Sequence, residues 1–347
     1  MKAVVKTGSG AGHVAYQDWP NPQPGRDDVL VAVKRAGICG TDVALYEWNQ
    51  TAAIHYAPQL PIVMGHEFAG EVVEVGQGVC DLQVGDQVIV NPLLTCGTCR
   101  FCKAKRTMLC PSRRTMGLNI HGVFAEYAVV PASNVYRLAD RMPWDLAAVA
   151  EPFAVAVHAL ERVPVEPDSI VAIIGPGSIG FCMLAALRLA GATHVVMVGV
   201  EADRERLALA SAMGATAVCI GREDPKKAVL QLSDGFGADV SFEAAGHPEA
   251  FSLALRLTGK AGRVGLIGLP HEPVQVDCAG LALAEQELIG IRAHGPSTWQ
   301  RLPDLLERAS DDLASIVTHR VPLSEFERGV QLVRSREGLK VLLTVGD

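Results

Sequence analysis

Four cysteines fall within 15 residues, as Cys96-x2-Cys99-x2-Cys102-x7-Cys110. This spacing lets one short lobe, residues 91–113, wrap four thiolates around a tetrahedral zinc ion. Gly97 allows a tight turn, and Lys103, Lys105 and Arg106 lie close to a centre that is net negative when four thiolates hold one Zn2+. Protein fills all four positions and none is open to water, which is the chemistry of a structural metal. Buried thiols or disulfides are the alternative. An odd count of nine cysteines, in a chain whose start MKAVVKTGSG lacks the apolar core of a signal peptide, disfavours disulfides.

A second chemistry sits in AIIGPGSIGF, where Gly175-x-Gly177-x-x-Gly180 follows a strand-like run and opens a helix-like one. The first glycine permits the tight turn, the second a close approach of backbone to a pyrophosphate, the third close packing of helix on strand. The free N–H groups at the helix start, Ser178 and Ile179, complete an anion cradle. A glycine turn without a ligand is the weaker reading, given the flanking βα pattern. The next strand end should carry an acid that reads the adenosine ribose. Gly199 stands there, with Glu201, Asp203, Arg204 and Arg206 close behind. Gly199 makes room for the 2′-phosphate of NADP, whereas Glu201 carries the wrong charge for it. NAD is therefore expected ahead of NADP.

Three further segments hold zinc-type donors: Cys39 in GICGTD, His66 and Glu67 in GHE, and Glu151 before Pro152. Taken singly, these read as a buried small residue, a core histidine and surface charges.

The elements that must position these groups show in the hydropathy pattern. Short apolar or alternating runs at 29–38, 70–76, 86–90 and 125–130, broken by Gly, Pro and Asp, predict a β-rich, barrel-like first region. After Pro152, SIVAIIG, HVVMVGV, ADVSFEAAG and GRVGLIGLP alternate with helical runs such as FCMLAALRLAG and ADRERLALASAMGA. Repeated βα units predict a doubly wound parallel sheet, hence an α/β chain of two domains. A helix near 324–335 and a strand KVLLTV end it. With 347 residues, 49% hydrophobic and 20% charged, the chain has material for two cores. A net charge of −7 without a basic run excludes a nucleic-acid role, and no apolar stretch reaches the length of a membrane span. The expected compartment is the cytoplasm.

Taken together, GICGTD, MGHEFAGEVVEVG, VGDQV, the cysteine lobe, FAEYAVVP, EPFAVAVHA and GPGSIG resemble the zinc-containing medium-chain dehydrogenase/reductase family from end to end. Glu151-Pro152, where alcohol dehydrogenases commonly carry a cysteine, resembles its sorbitol (polyol) and L-threonine dehydrogenase branch. The resemblance implies a GroES-like catalytic domain over 1–152 and 296–347 and a Rossmann coenzyme domain over 153–295. It implies one catalytic and one structural zinc per subunit. Cys39 and His66 would be direct ligands, Glu67 a ligand in some states, and Glu151 a ligand directly or through water. Ala245 and Leu269 join the coenzyme contacts, and a homotetramer or dimer is implied. The implied reaction is oxidation of a secondary alcohol, foremost a polyol, to a ketone by hydride transfer to the nicotinamide, with zinc as the Lewis acid. L-Threonine and cyclic or terpene alcohols are alternative substrates, and a catalytically silent paralogue is the alternative from another class. Thr41 matches the family hydroxyl that passes the substrate proton onward, and Thr41-Asp42 also reads as a helix cap. The branch histidine that continues this path is absent, because Ala44 occupies its place; His55 is considered as a substitute, although a surface-loop histidine is the weightier reading of it.

Overall fold

The run DVLVAVKRAG alternates apolar and polar side chains, so one face of an extended chain buries Val29, Val31 and Val33, and this run forms the strand Asp28–Gly37. It is the centre of a seven-stranded sheet. Glu67–Val75 lies antiparallel on one side, followed by Gln87–Val90 and Val135–Arg137. On the other side lies Lys340–Thr344, then Val317–Pro322; Tyr127–Pro131 also pairs with the central strand. Lys2–Lys6, Val14–Asp18 and Ile62–Val63 form a smaller sheet. Val31, Phe68, Val88, Val330, Val341 and Leu343 pack into the shared core.

The computed structural model describes residues 1–139, 142–270 and 272–346, and the backbone but not the side chain of His55. By its contacts the chain divides into Met1–Glu151 with Gly295–Asp347, and Pro152–His294. The boundaries expected from the sequence, 152/153 and 295/296, each lie one residue further on.

In the second unit, fully apolar runs make strands buried on both faces. Ile170–Ile174 is buried throughout. The sheet order is Thr216–Cys219, His194–Gly199, Ile170–Ile174, Ala238–Glu243, Thr258–Leu266, Glu287–Gly290, all parallel. Numbered in chain order within the unit, this is 3-2-1-4-5-6, the doubly wound dinucleotide-binding topology. The glycine-rich turn leaves the central strand and enters the helix Ser178–Leu189. Among the described residues no helix is long and apolar enough to cross a membrane.

Candidate active site

Cys39 lies 27 residues before the adjacent pair His66-Glu67, and strand pairing brings them together. Gly37 is the register partner of both Glu67 and Leu342. Cys39 therefore leaves one strand where His66-Glu67 enters its neighbour, and Lys340 arrives from the C-terminal strand. The donor atoms of Cys39, His66 and Glu67 lie within 4.8 Å of one another, a span that one small cation can bridge. His66 and Glu67 are buried and Cys39 is half-buried.

The charge balance of this cluster calls for a cation. Burial opposes the His66 imidazolium, yet a hydrogen bond with the Cys39 side chain and the charges of Asp42, Cys39 and Glu151 outweigh it and push the His66 pKa well above its usual value. A group of donors that draws a proton so strongly draws a metal ion by the same field. His66 Nδ1 and Asp42 Oδ1 have no hydrogen-bond partner and face each other at 3.9 Å. Asp42 is fully buried, and burial, partly offset by His66, raises its carboxyl to about 6. Its other oxygen accepts from the Cys39 backbone N–H at 2.9 Å. One carboxylate thus caps the helix Gly40–Glu47 and aims the imidazole. Cys39 is the N-cap residue and Asp42 closes the box; Thr41 lies inside the helix, its hydroxyl 3.4 Å from that of Tyr56. Asp42→Asn is expected to weaken metal binding at Cys39 and His66 about 10–100-fold, measured by competition with a chromogenic chelator.

Glu67 is paired with Lys340, whose Nζ also donates to the Ile38 carbonyl at 3.2 Å. Both side chains are 1% exposed. Gly37 leaves the space for this pair, since a Cβ there would collide with Glu67 Oε2 and come within 2.8 Å of Lys340 Cε. Glu151, half-buried at the start of the helix Ala150–Arg162, acts on His66 through its charge but is not among the three clustered donors. Ala44 is buried. The His55 side chain lies outside the described residues.

Cys96, Cys99, Cys102 and Cys110 converge as a second donor group. Their sulfurs stand 3.5 Å (Cys99–Cys102), 3.5 Å (Cys96–Cys110) and 3.9 Å (Cys96–Cys102) apart. Tetrahedral sulfurs at the zinc–sulfur distance of about 2.3 Å would be about 3.8 Å apart, so the group fits zinc. Backbone N–H groups of Thr98 and Cys99 draw the Cys96 thiol down to about 6, which favours the thiolate that a metal needs. The helix Arg100–Lys103 and the turn Thr107–Leu109 carry the lobe.

In the second unit the glycine turn fits a pyrophosphate. Gly175 has φ +109°, and a Cβ there would meet the Ala245 backbone N at 2.8 Å; Gly177 has open space around it. A Cβ at Gly180 would collide with the Gly175 carbonyl. Ser178 and Ile179 begin the helix behind this turn. Ala245 is held by a residue that sequence reasoning missed. Glu243, buried at the end of its strand, accepts from the N–H groups of Ala245 and Gly246, both at 2.8 Å. Burial pushes its carboxyl up against those same donors. Leu269 is exposed, and its backbone lies 3.2 Å from where a Cβ on Gly246 would stand. Gly199 ends the strand next to the turn, with Glu201 and Arg204 exposed beyond it.

Known proteins share both halves of this arrangement. Residues 25–140 match the alcohol dehydrogenase GroES-like domain, and residues 178–308 the zinc-binding dehydrogenase domain. The chain is 38% identical to an L-threonine 3-dehydrogenase of Bacillus subtilis strain 168, over 99% of this chain and 98% of that one. It is 34% identical to a sorbitol dehydrogenase of Halalkalibacterium halodurans, over 99% of both. A zinc-binding dehydrogenase of Sinorhizobium meliloti 1021, solved bound to NADP, superposes with a TM-score of 0.89 at 30% identity, over 99% of this chain and 98% of that one. The chain belongs to the zinc-dependent alcohol dehydrogenase family, the medium-chain NAD(P)-dependent oxidoreductases built from a GroES-like and a Rossmann-type domain.

Proposed function

We propose that this chain oxidises a secondary alcohol to a ketone, with a polyol as first substrate class and NAD as first coenzyme. The observation that carries the reaction type is the buried Cys39–His66–Glu67 cluster, whose field demands a cation and whose donor types suit zinc. A zinc ion bound there supplies the Lewis acidity that lowers the pKa of a substrate hydroxyl, and a nicotinamide supplies the hydride acceptor. Cys39 and His66 would be its direct ligands, Glu67, now paired with Lys340, would join it in some states, and Glu151 would join directly or through water. Asp42 holds the His66 ring in place. Thr41 would accept the substrate proton as it passes its own hydroxyl proton on, with the Tyr56 hydroxyl 3.4 Å away as the next group in line toward solvent water, since Ala44 cannot carry it. The cysteine lobe holds a second, structural zinc. Gly175, Gly177, Ser178, Ile179 and Gly180 would receive the pyrophosphate, Ala245 and Leu269 would join the coenzyme contacts, and Glu201 would accept from the ribose.

L-Threonine is the second substrate reading, supported by the 38% identity to the Bacillus enzyme. Polyols and threonine both present a carbinol beside a second polar group, so the same set of metal donors suits either. Purified zinc-replete protein is expected to reduce NAD with one of these classes, followed at the nicotinamide absorbance across sugar alcohols, inositols, diols, cyclic alcohols and L-threonine. Silence on every secondary alcohol with both coenzymes would remove the proposal.

A homo-oligomer, tetramer or dimer, is part of this reading. It is supported by the sheet edge Glu287–Gly290, where Leu288 is exposed, and by the exposed Leu283 before it. A cytoplasmic location is part of this reading, supported by four of the nine cysteines converging as a metal-donor group, which needs reduced thiols.

A further inference from the structure

The carboxylate placed nearest the ribose is not alone. Arg222 clamps Glu201 with two parallel hydrogen bonds, Nε to Oε2 and Nη2 to Oε1, both 2.6 Å. Arg204 stands 4.0 Å from the same carboxylate, and the Cys219 thiol lies 3.5 Å from it. The residues are 21 positions apart, but Gly199 and Cys219 are register partners, so parallel pairing sets the two strand ends side by side. The guanidiniums of Arg222 and Arg204 offset the one negative charge of Glu201, with Glu223 the further carboxylate acting on Cys219. Glu201 therefore does not repel a phosphate as its own charge suggests. Gly199 adds no side chain to the same strand tip.

We propose that Glu201 and Arg222 are an exchangeable pair that lets this subsite take either coenzyme. This rests on the coenzyme site described above and goes beyond the preference for NAD. Paired, Glu201 keeps lone pairs free to accept from the ribose 2′-hydroxyl of NAD. With NADP, the 2′-phosphate takes the Arg222 fork, whose planar donors match phosphate as well as carboxylate, and Arg204 adds a second cation. Both partners are exposed, so the pair holds weakly against water and opens at small cost.

Calorimetric titration of the full-length, zinc-replete protein with 5′-AMP and with adenosine 2′,5′-bisphosphate tests this without turnover. The wild type is expected to bind the two within roughly tenfold of each other. Arg222→Gln removes the phosphate's fork and leaves Glu201 with the looser Arg204 contact at 4.0 Å, so bisphosphate affinity should fall about tenfold or more while 5′-AMP changes little. Glu201→Gln frees both guanidiniums and should strengthen the bisphosphate by a similar factor. An unchanged affinity ratio in Arg222→Gln, with 5′-AMP still bound, would overturn the exchange and leave the coenzyme site standing. Loss of both ligands in the wild type would overturn the coenzyme site and the exchange together.

Discussion

Cys39→Ser is expected to leave one zinc per chain instead of two and to lower kcat/KM by at least about a thousandfold, the equivalent of several kcal/mol of Lewis-acid stabilisation. The serine oxygen is a far poorer soft donor than a thiolate, and its hydroxyl stays protonated at neutral pH. The cysteine lobe is a separate group of donors and should keep its metal. Elemental analysis by mass spectrometry reads the zinc count. A thermal transition within a few degrees of the wild type shows that the fold survives. Two zincs per chain with full turnover would mean that Cys39 is not a ligand.

Lys340→Met is expected to be the most destabilising single change around this site. Lys340 and Glu67 are each 1% exposed, and removing one partner of a buried pair leaves an uncompensated charge at a cost of about 3–5 kcal/mol. The transition of the metal-free protein should fall by roughly 10 °C. Adding Glu67→Gln should recover most of the loss, because a neutral amide no longer needs the ammonium. Zinc should rescue the single variant more than the double one, since a carboxylate released from Lys340 is free to turn to the ion. A drop no larger for Lys340→Met than for the double variant would show that Glu67 does not depend on Lys340.

Features whose chemistry is local were legible in the sequence. The cysteine lobe depends on spacing within one short run, and the glycine turn on its position between a strand and a helix. The strands at 28–37 and 170–174 follow from alternation in one and continuous hydrophobicity in the other. The groups that tune the sites were not legible, for a common physical reason. Lys340 reaches Glu67 across 273 positions, and Arg222 reaches Glu201 across 21, through strand register that no local pattern encodes. The helix cap at Thr41-Asp42 is legible, but the burial of Asp42 against His66 is not. A signal for it existed, because a capping acid three residues past a ligand cysteine has little room to face water. Tyr56 belongs to a π-helical turn, Thr51–Tyr56, which leaves no periodic trace in so short a run. Reading Glu201 by its charge alone missed the guanidinium that neutralises it.

The most direct test of the central claim follows the hydride itself. An alcohol that turns over is labelled with deuterium on its carbinol carbon, and the reduced nicotinamide is weighed by mass spectrometry. The expected result is reduced coenzyme carrying one deuterium, with ketone as the co-product and no transfer in Cys39→Ser. Reduced coenzyme without the label, or full transfer in the Cys39 variant, would contradict a zinc-dependent hydride transfer at this site.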